Sequence, residues 1–197
     1  MISNNVAVKN NGIVFSAENK GLRLFLTSLY HHLKIDYPKF YKMDNLCKLG
    51  WLASEILIKN ESLIKEFEPG EIGTVLTNAN SSLDTDLKYF ETTKAIASPA
   101  LFVYTLPNIV AGEICIRNNF KGENAFFVFE EFNAAFIKVY VDDLFTNKAI
   151  KLCICGWVDV LEENYKAVLY LVSTKKKEGT LLFTEENMNS IFKSVEA

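Results

Sequence analysis

Histidine is nearly missing from this chain: there are two, His31 and His32, and they are adjacent in a polar stretch, SLYHHLK. Side by side on such a stretch, they are expected at the surface rather than in acid–base chemistry. Cysteine is sparse too, and Cys47, Cys115, Cys153 and Cys155 include no CxxC pair. Reduced core thiols are therefore expected, with no metal centre and no cofactor called for. Cys153 and Cys155 stand two apart in an apolar strand, so both point to one side of it. No apolar run reaches the ~18 residues that a membrane span requires. The opening MISNNVAVKNNG lacks the basic start and apolar core of a signal peptide, so a soluble, cytoplasmic protein is expected. Positive charge is not in excess either. A net charge of −3 gives no footprint for nucleic acid, and Lys175-Lys176-Lys177, followed by Glu178-Gly179, reads as a solvated turn. With no repeat, low-complexity segment or linker, residues 1–197 read as a single domain.

What the chain has is apolar residues, 49% against 23% charged, enough to build a proper core and to leave some apolar surface for another chain. VAVKNNGIVF predicts a strand or a hairpin pinched at Asn11-Gly12. Asp44 is placed to cap a helix from Asn45 to about Lys59, with Leu46, Leu49, Leu52, Ala53, Ile56 and Leu57 along one face. GTVLTN predicts a short strand, and Ser81 with Asp84 a box-like start to a helix carrying Leu83, Leu87 and Phe90. Pro107 suits the first turn of PNIVAGEICIR, which ends at Asn118-Asn119. AFFVFE is the next strand. The helix FNAAFIKVYVDDLF follows, with Phe132, Phe136, Val139, Tyr140 and Leu144 as its apolar side and Lys138 paired to Asp142. KLCICGWVDV and AVLYLVST are apolar strands turned at Glu163-Asn164. Thr184 caps the last helix, with Phe183 and Met188 at staple positions. Strands alternating with helices give an α/β fold, a mixed sheet of about five strands with helices on both sides.

Three segments resemble the β-ketoacyl-acyl-carrier-protein synthases, the thiolase-like condensing enzymes. FYKMDNLCKLGWLASE (40–55) resembles that family's R-M-D-x-x-x-x-L…A-x-E helix. SPALFVYTLPNIVAGEICIRNNFKGEN (98–124) carries SP, LPN, AG-x-I-x-I and KG-x-N at the family's intervals. LCICGWVDV (152–160) is similar to its apolar strand ending in a Gly and an acidic residue. The resemblance spans residues 40 to 160 and implies one thiolase-like half, the N-terminal one. At the first strand the family's Gly-rich G-x-G is here KNNG.

In that family the strand after KG-x-N ends in a Cys heading a buried helix, where the helix N-terminus favours the thiolate. Counting from Asn124, the position is Glu131 here, beside Glu130. The family's histidine pair comes from the second half of the fold, and His31 and His32 precede every landmark. The resemblance thus implies that acyl transfer by the family's route is not available. Glu131 reads as a helix cap, with malonyl decarboxylation as the rival role; a negative charge set against a malonyl carboxylate opposes the latter. The LPN region lines the acyl channel near the dimer interface in the synthases. Phe102, Leu106, Asn108 and Ile109, with Phe129, Phe132 and Phe136, are therefore the candidate acyl-pocket or interface residues. The competing reading makes Phe102, Leu106 and Ile109 core residues, and gives Asn108 a particular hydrogen bond beside Pro107.

In a full thiolase fold the helix after Glu131 is covered by the other half. Leaving a ~600 Å² apolar face wet would forgo on the order of 15 kcal/mol, so a partner chain, a second copy or the final helix 185–195 is expected to cover it. The resulting expectation is a non-catalytic, chain-length-factor-like partner or scaffold subunit in a fatty-acid- or polyketide-type pathway. Short stand-alone members of the family resemble those of aryl-polyene and flexirubin pigment synthesis. The expected partners are a second copy or a ketosynthase, with an acyl carrier protein as a further candidate. Two rivals stand beside it: an enzyme completed by a second polypeptide, and a module that binds acyl chains or carrier protein.

Overall fold

The structure, a computed structural model, describes residues 1–18, 21–175 and 178–194. Seven strands form one mixed sheet: β1 (Ile2–Ser3), β2 (Val6–Lys9), β3 (Gly12–Ser16), β4 (Ile72–Asn78), β5 (Asn124–Val128), β6 (Leu152–Leu161) and β7 (Asn164–Ser173). Their order is β3-β2-β1-β7-β6-β4-β5. The helices are α1 (Leu22–Leu33), α2 (Asn45–Ile58), α3 (Leu83–Thr93), α4 (Pro99–Val103), α5 (Ile109–Asn118), α6 (Ala134–Thr146) and α7 (Glu185–Lys193). The predicted class holds, but the sheet has seven strands instead of about five. The first sixteen residues fold into β1, β2 and β3, which lengthen the sheet beyond β7. Their hairpin turns at Asn10-Asn11, one residue before the predicted Asn11-Gly12. Both asparagines have positive φ (49° and 64°), as a two-residue turn with right-handed strand twist requires.

Strand β4 is buried along its whole length because β5 and β6 pair with it in parallel on its two sides. Crossover helices then cover both faces of the sheet. On one side α1, α2 and α5 pack a large core around Phe25, Phe40, Leu49, Trp51, Leu52, Leu76 and Ile114. Close approach of α2 to α5 requires Gly50, where a Cβ would lie 2.4 Å from the Val110 side chain. On the other side α6 and α7 pack over Val75, Cys153, Cys155 and Val172. In β6, Gly156 has φ +143°, and a Cβ there would meet the Val168 carbonyl at 2.1 Å, so no side chain fits.

Several predicted boundaries move. Asp44 caps α2 as expected, its Oδ1 accepting from the Cys47 amide at 2.8 Å, and Thr184 caps α7. The Ser81–Asp84 box is not formed. Ser81 has positive φ, Ser82 stands at the cap position, and the Asp84 carboxylate accepts from the Glu162 amide and pairs with Lys88. Helix α5 starts at Ile109, not at Pro107, and Asn108 makes no side-chain cap bond. The β6–β7 turn is Glu162-Glu163, and Glu163 Oε2 accepts the Leu22 amide at 2.7 Å, capping α1 from 141 residues away. Lys176 and Lys177 of the basic run lie outside the described residues; Lys175 pairs with Glu66.

Candidate functional site

The stretch KGENAFFVFEEF becomes β5 and the turn that delivers the chain to α6. Residues Glu123, Ala125, Phe127 and Phe129 turn their backbone groups toward β4: Thr74 N–H donates to Glu123 O at 2.9 Å, and Phe129 N–H to Asn78 O at 2.9 Å. The ladder ends there, and Glu130 and Glu131 bend out into solvent. The cap of α6 is Asn133, whose Oδ1 accepts the Phe136 amide at 2.9 Å. The capping reading of Glu131 is therefore wrong. It lies two residues before the cap position, where the shorter Asn side chain already accepts the Phe136 amide. Beside it lies an open depression of about 540 Å³ between the α6 start and α7, lined by Glu130, Glu131, Asn133, Glu185 and Asn189 among others. Three carboxylates and two amides make it polar and negative.

No described thiol lies on β5, on α6 or on the turn between them. Cys153 and Cys155 share one side of β6, as predicted, inside the α6–α7 core. A hydrogen bond with Cys153 and deep burial push the Cys155 thiol well up, burial pushes Cys47 well up, and it raises Cys115. These thiols are held protonated, the reverse of activation. His31 and His32 are exposed at the C-terminal end of α1, His31 Nε2 lying 3.5 Å from the Tyr41 hydroxyl. They belong to the layer across the sheet from Glu131.

The candidate pocket residues divide between the two layers. Phe129 and Phe136 meet at 4.8 Å between ring centroids, and Phe127 joins them against Tyr140. Phe132 stacks flat on Phe192 of α7 at 4.2 Å. Ile109 packs instead on the α2–α5 core, and Phe102 lies against Tyr89 of α3. Phe102 and Leu106 are not core: they are 55% and 52% exposed, in line with Leu83, Leu87 and Phe90 on the outer face of α3. Their apolar character served the core reading, but α4 and the loop after it lie outside the layer that α5 completes.

Sequence reasoning missed a half-buried polar network where β4 and β6 end. Asp159 accepts from the Ala79 and Asn80 amides and from Asn80 Nδ2 (2.7–3.2 Å), and Asn78 closes on Ser81 through two bonds. Thr85 donates to Asp44 Oδ2 at 2.7 Å, tying α3 to the start of α2. The only sequence signal was an acid closing an otherwise apolar strand. Glu113, 5% exposed on α5, is likewise neutralised by Lys39 at 2.8 Å. These groups spend their hydrogen bonds on one another, which fixes loops.

Solved structures with this arrangement include the ishigamide ketosynthase/chain length factor, at TM-score 0.53 and 20% identity over 62% of this chain and 36% of that one. A second is AntDE:AntF, a type II PKS acyl-carrier protein in complex with its ketosynthase bound to the hexaketide, at TM-score 0.51 and 17% identity over 66% of this chain and 39% of that one. The fold is the thiolase-like fold of ketosynthases. The chain spans between 36% and 39% of the length of these structures. No family model and no curated protein matches the sequence.

Within this thiolase-like fold the open question was what covers α6. Its inward stripe is Ala134, Ile137, Val141 and Leu144, while Val139, expected on the apolar side, is 67% exposed. Beyond that stripe, α7 lies alongside. Met188 is 2% exposed, Tyr170 donates to its carbonyl at 2.8 Å, and Phe192 packs on Phe132 and Trp157. Of the three covers considered, the final helix is the one that lies there.

Proposed function

We propose that this chain is a non-catalytic, ketosynthase-like subunit that works by pairing, in the manner of a chain-length factor, within a fatty-acid- or polyketide-type pathway. The observation that supports it is the β5–α6 turn. Where the family resemblance puts a nucleophilic thiol, two carboxylates stand exposed to water, and no described thiol shares either flanking element. A carboxylate cannot hold an acyl group as a thioester. The neighbours support the same reading, since one is a ketosynthase/chain length factor and the other a ketosynthase with its carrier protein.

The test is to incubate the purified chain with malonyl-loaded acyl carrier protein, with and without a ketosynthase from the same pathway. The expected result is no carbon dioxide release by the chain alone, together with a stable complex or altered product length when the ketosynthase is present. Carbon dioxide release lost in Glu131→Gln and Glu131→Ala would overturn the reading in favour of a decarboxylase.

A further inference from the structure

Asn11 is the one asparagine of this chain that glycine follows, and the fold leaves it in the open. A backbone amide next to an asparagine can attack the side-chain carboxamide, and glycine obstructs that approach least because it has no Cβ. Asn10 and Asn11 form the exposed turn between β2 and β3, closed by the Lys9–Gly12 pair. No hydrogen bond among the described residues holds the Asn11 side chain. β3 is the outermost strand of the sheet, and its ladder to β2 breaks register between Ala7 and Val8. Such a tip opens locally without unfolding the rest. The Asn-Ser pairs, where the following side chain is also small, are held. Asn80 Nδ2 donates to Asp159 Oδ2 at 2.7 Å, and the Ser81 amide donates to Asn78 Oδ1 at 2.9 Å. Asn189-Ser190 lies inside α7, whose ladder occupies the Ser190 amide.

We propose that Asn11 is a site of spontaneous deamidation, and that the hairpin decides which product the fold tolerates. Once the Lys9–Gly12 pair opens and the Gly12 amide loses its proton to base, its nitrogen attacks Asn11 Cγ. The bond from Gly12 N to Cγ forms, the Cγ–Nδ2 bond breaks, and Nδ2 leaves as ammonia with a proton from solvent. Water then opens the cyclic imide. Cleavage between Gly12 N and Cγ gives aspartate. Cleavage between Gly12 N and the Asn11 carbonyl carbon gives isoaspartate. In sum, one amide and one water become one carboxylate and one ammonium, with no oxidant or reductant. Aspartate is compatible with the φ of 64° at position 11, so the turn survives. Isoaspartate routes the backbone through Cγ and lengthens it by one carbon. A two-residue turn has no room for that, and the Lys9–Gly12 and Val8–Ile13 pairs are lost. β2 stays paired to β1, so the damage stops at β3 and at Phe15, which rests on Phe25.

The test is to hold the whole folded chain in mildly alkaline buffer and map its peptides over time. A product about 1 Da heavier is expected at Asn11 before any other asparagine, as aspartate and isoaspartate told apart by electron-transfer fragmentation. Its rate should rise with pH, since the attacking nitrogen must first be deprotonated. In Gly12→Ala the rate should fall by about tenfold or more. Position 12 has no positive φ, and an added Cβ would lie 3.4 Å from the Lys9 carbonyl oxygen, so this variant keeps the hairpin. Asn11→Asp should match the native circular dichroism and urea midpoint. The isolated isoaspartyl form should exchange its amides faster across 12–16 and not in β6. Conversion at Asn80 before Asn11, or an Asn11 rate unchanged by Gly12→Ala, overturns the proposal. So does an isoaspartyl form whose β3 amides exchange as slowly as the native ones. If Gly12→Ala fails to fold, the order of Asn11 and Asn80 in the native chain decides.

Discussion

Asp44 shows how a single residue carries both a local and a tertiary role. Its cap on α2 is local, a carboxylate three residues before the amide it accepts, and the sequence shows it. Its burial and its bond from Thr85 are tertiary and invisible in the sequence. Burial raises its carboxyl above the ordinary 3.8, only partly offset by the hydrogen bonds from Thr85 and Cys47. The folded state therefore binds this proton more tightly than the unfolded chain. There is no penalty below the unfolded value. A penalty builds as pH rises from about there to the raised folded value, and is complete above it. Asn keeps the cap and can keep the contact to Thr85 without titrating. Measured by urea midpoints, Asp44→Asn should therefore gain stability relative to the native protein across that acid window and hold the gain at neutral pH. A gain that shrinks as pH rises would refute the assignment. Glu131 went the other way: both the local capping argument and its position before a helix were available, yet Asn133 took the cap because the chain bends out at Glu130.

For α6, sequence periodicity established that a helix exists and fixed its length to within two residues. It did not fix the inward face. FNAAFIKVYVDDLF offers two overlapping stripes at helical spacing, one through Phe132, Phe136 and Val139 and one through Ala134, Ile137 and Val141. Packing onto β4 and β6 decided for the smaller side chains, because they let the helix approach Val75 and Cys153. The displaced aromatics then became a second tier, Phe136 toward β5 and Phe132 toward α7. α7 is thus held mainly by Met188 and the Phe132–Phe192 stack. Phe192→Ala should cost about 2 kcal/mol, less than a fully buried Phe because Phe192 is only half buried. Hydrogen exchange should show the loss as faster amides across 185–193, with β6 amides unchanged. Equal acceleration in β6 would mean that α7 and the sheet open together.

At the scale of the whole molecule, one sheet separates two cores, and β4 contributes to both, Ile72 and Leu76 to one face and Val75 to the other. A shared buried strand couples the faces, so the described chain is expected to unfold as one unit. The two tryptophans report the two sides. Trp51 is fully buried in the α2 layer, and Trp157 meets Phe132 and Phe192 on the α7 side. Denaturant curves of Trp51→Phe and Trp157→Phe, each read by the remaining tryptophan, should show a single common cooperativity once corrected for the stability change. Circular dichroism midpoints should coincide with fluorescence in each variant. A fluorescence midpoint separated from that of circular dichroism would reveal two units.

The sequence by itself determined the α/β class, the central strands and the caps at Asp44 and Thr184, because each depends on residues a few positions apart. It also determined the absence of a thiol between β5 and α6, since no packing can supply one to those residues. Only the tertiary structure decided that Glu163 caps α1 and that Phe102 and Leu106 stay outside the core. Those outcomes depend on which surfaces meet across a sheet whose order is not the order of the chain, and local spacing holds no record of that.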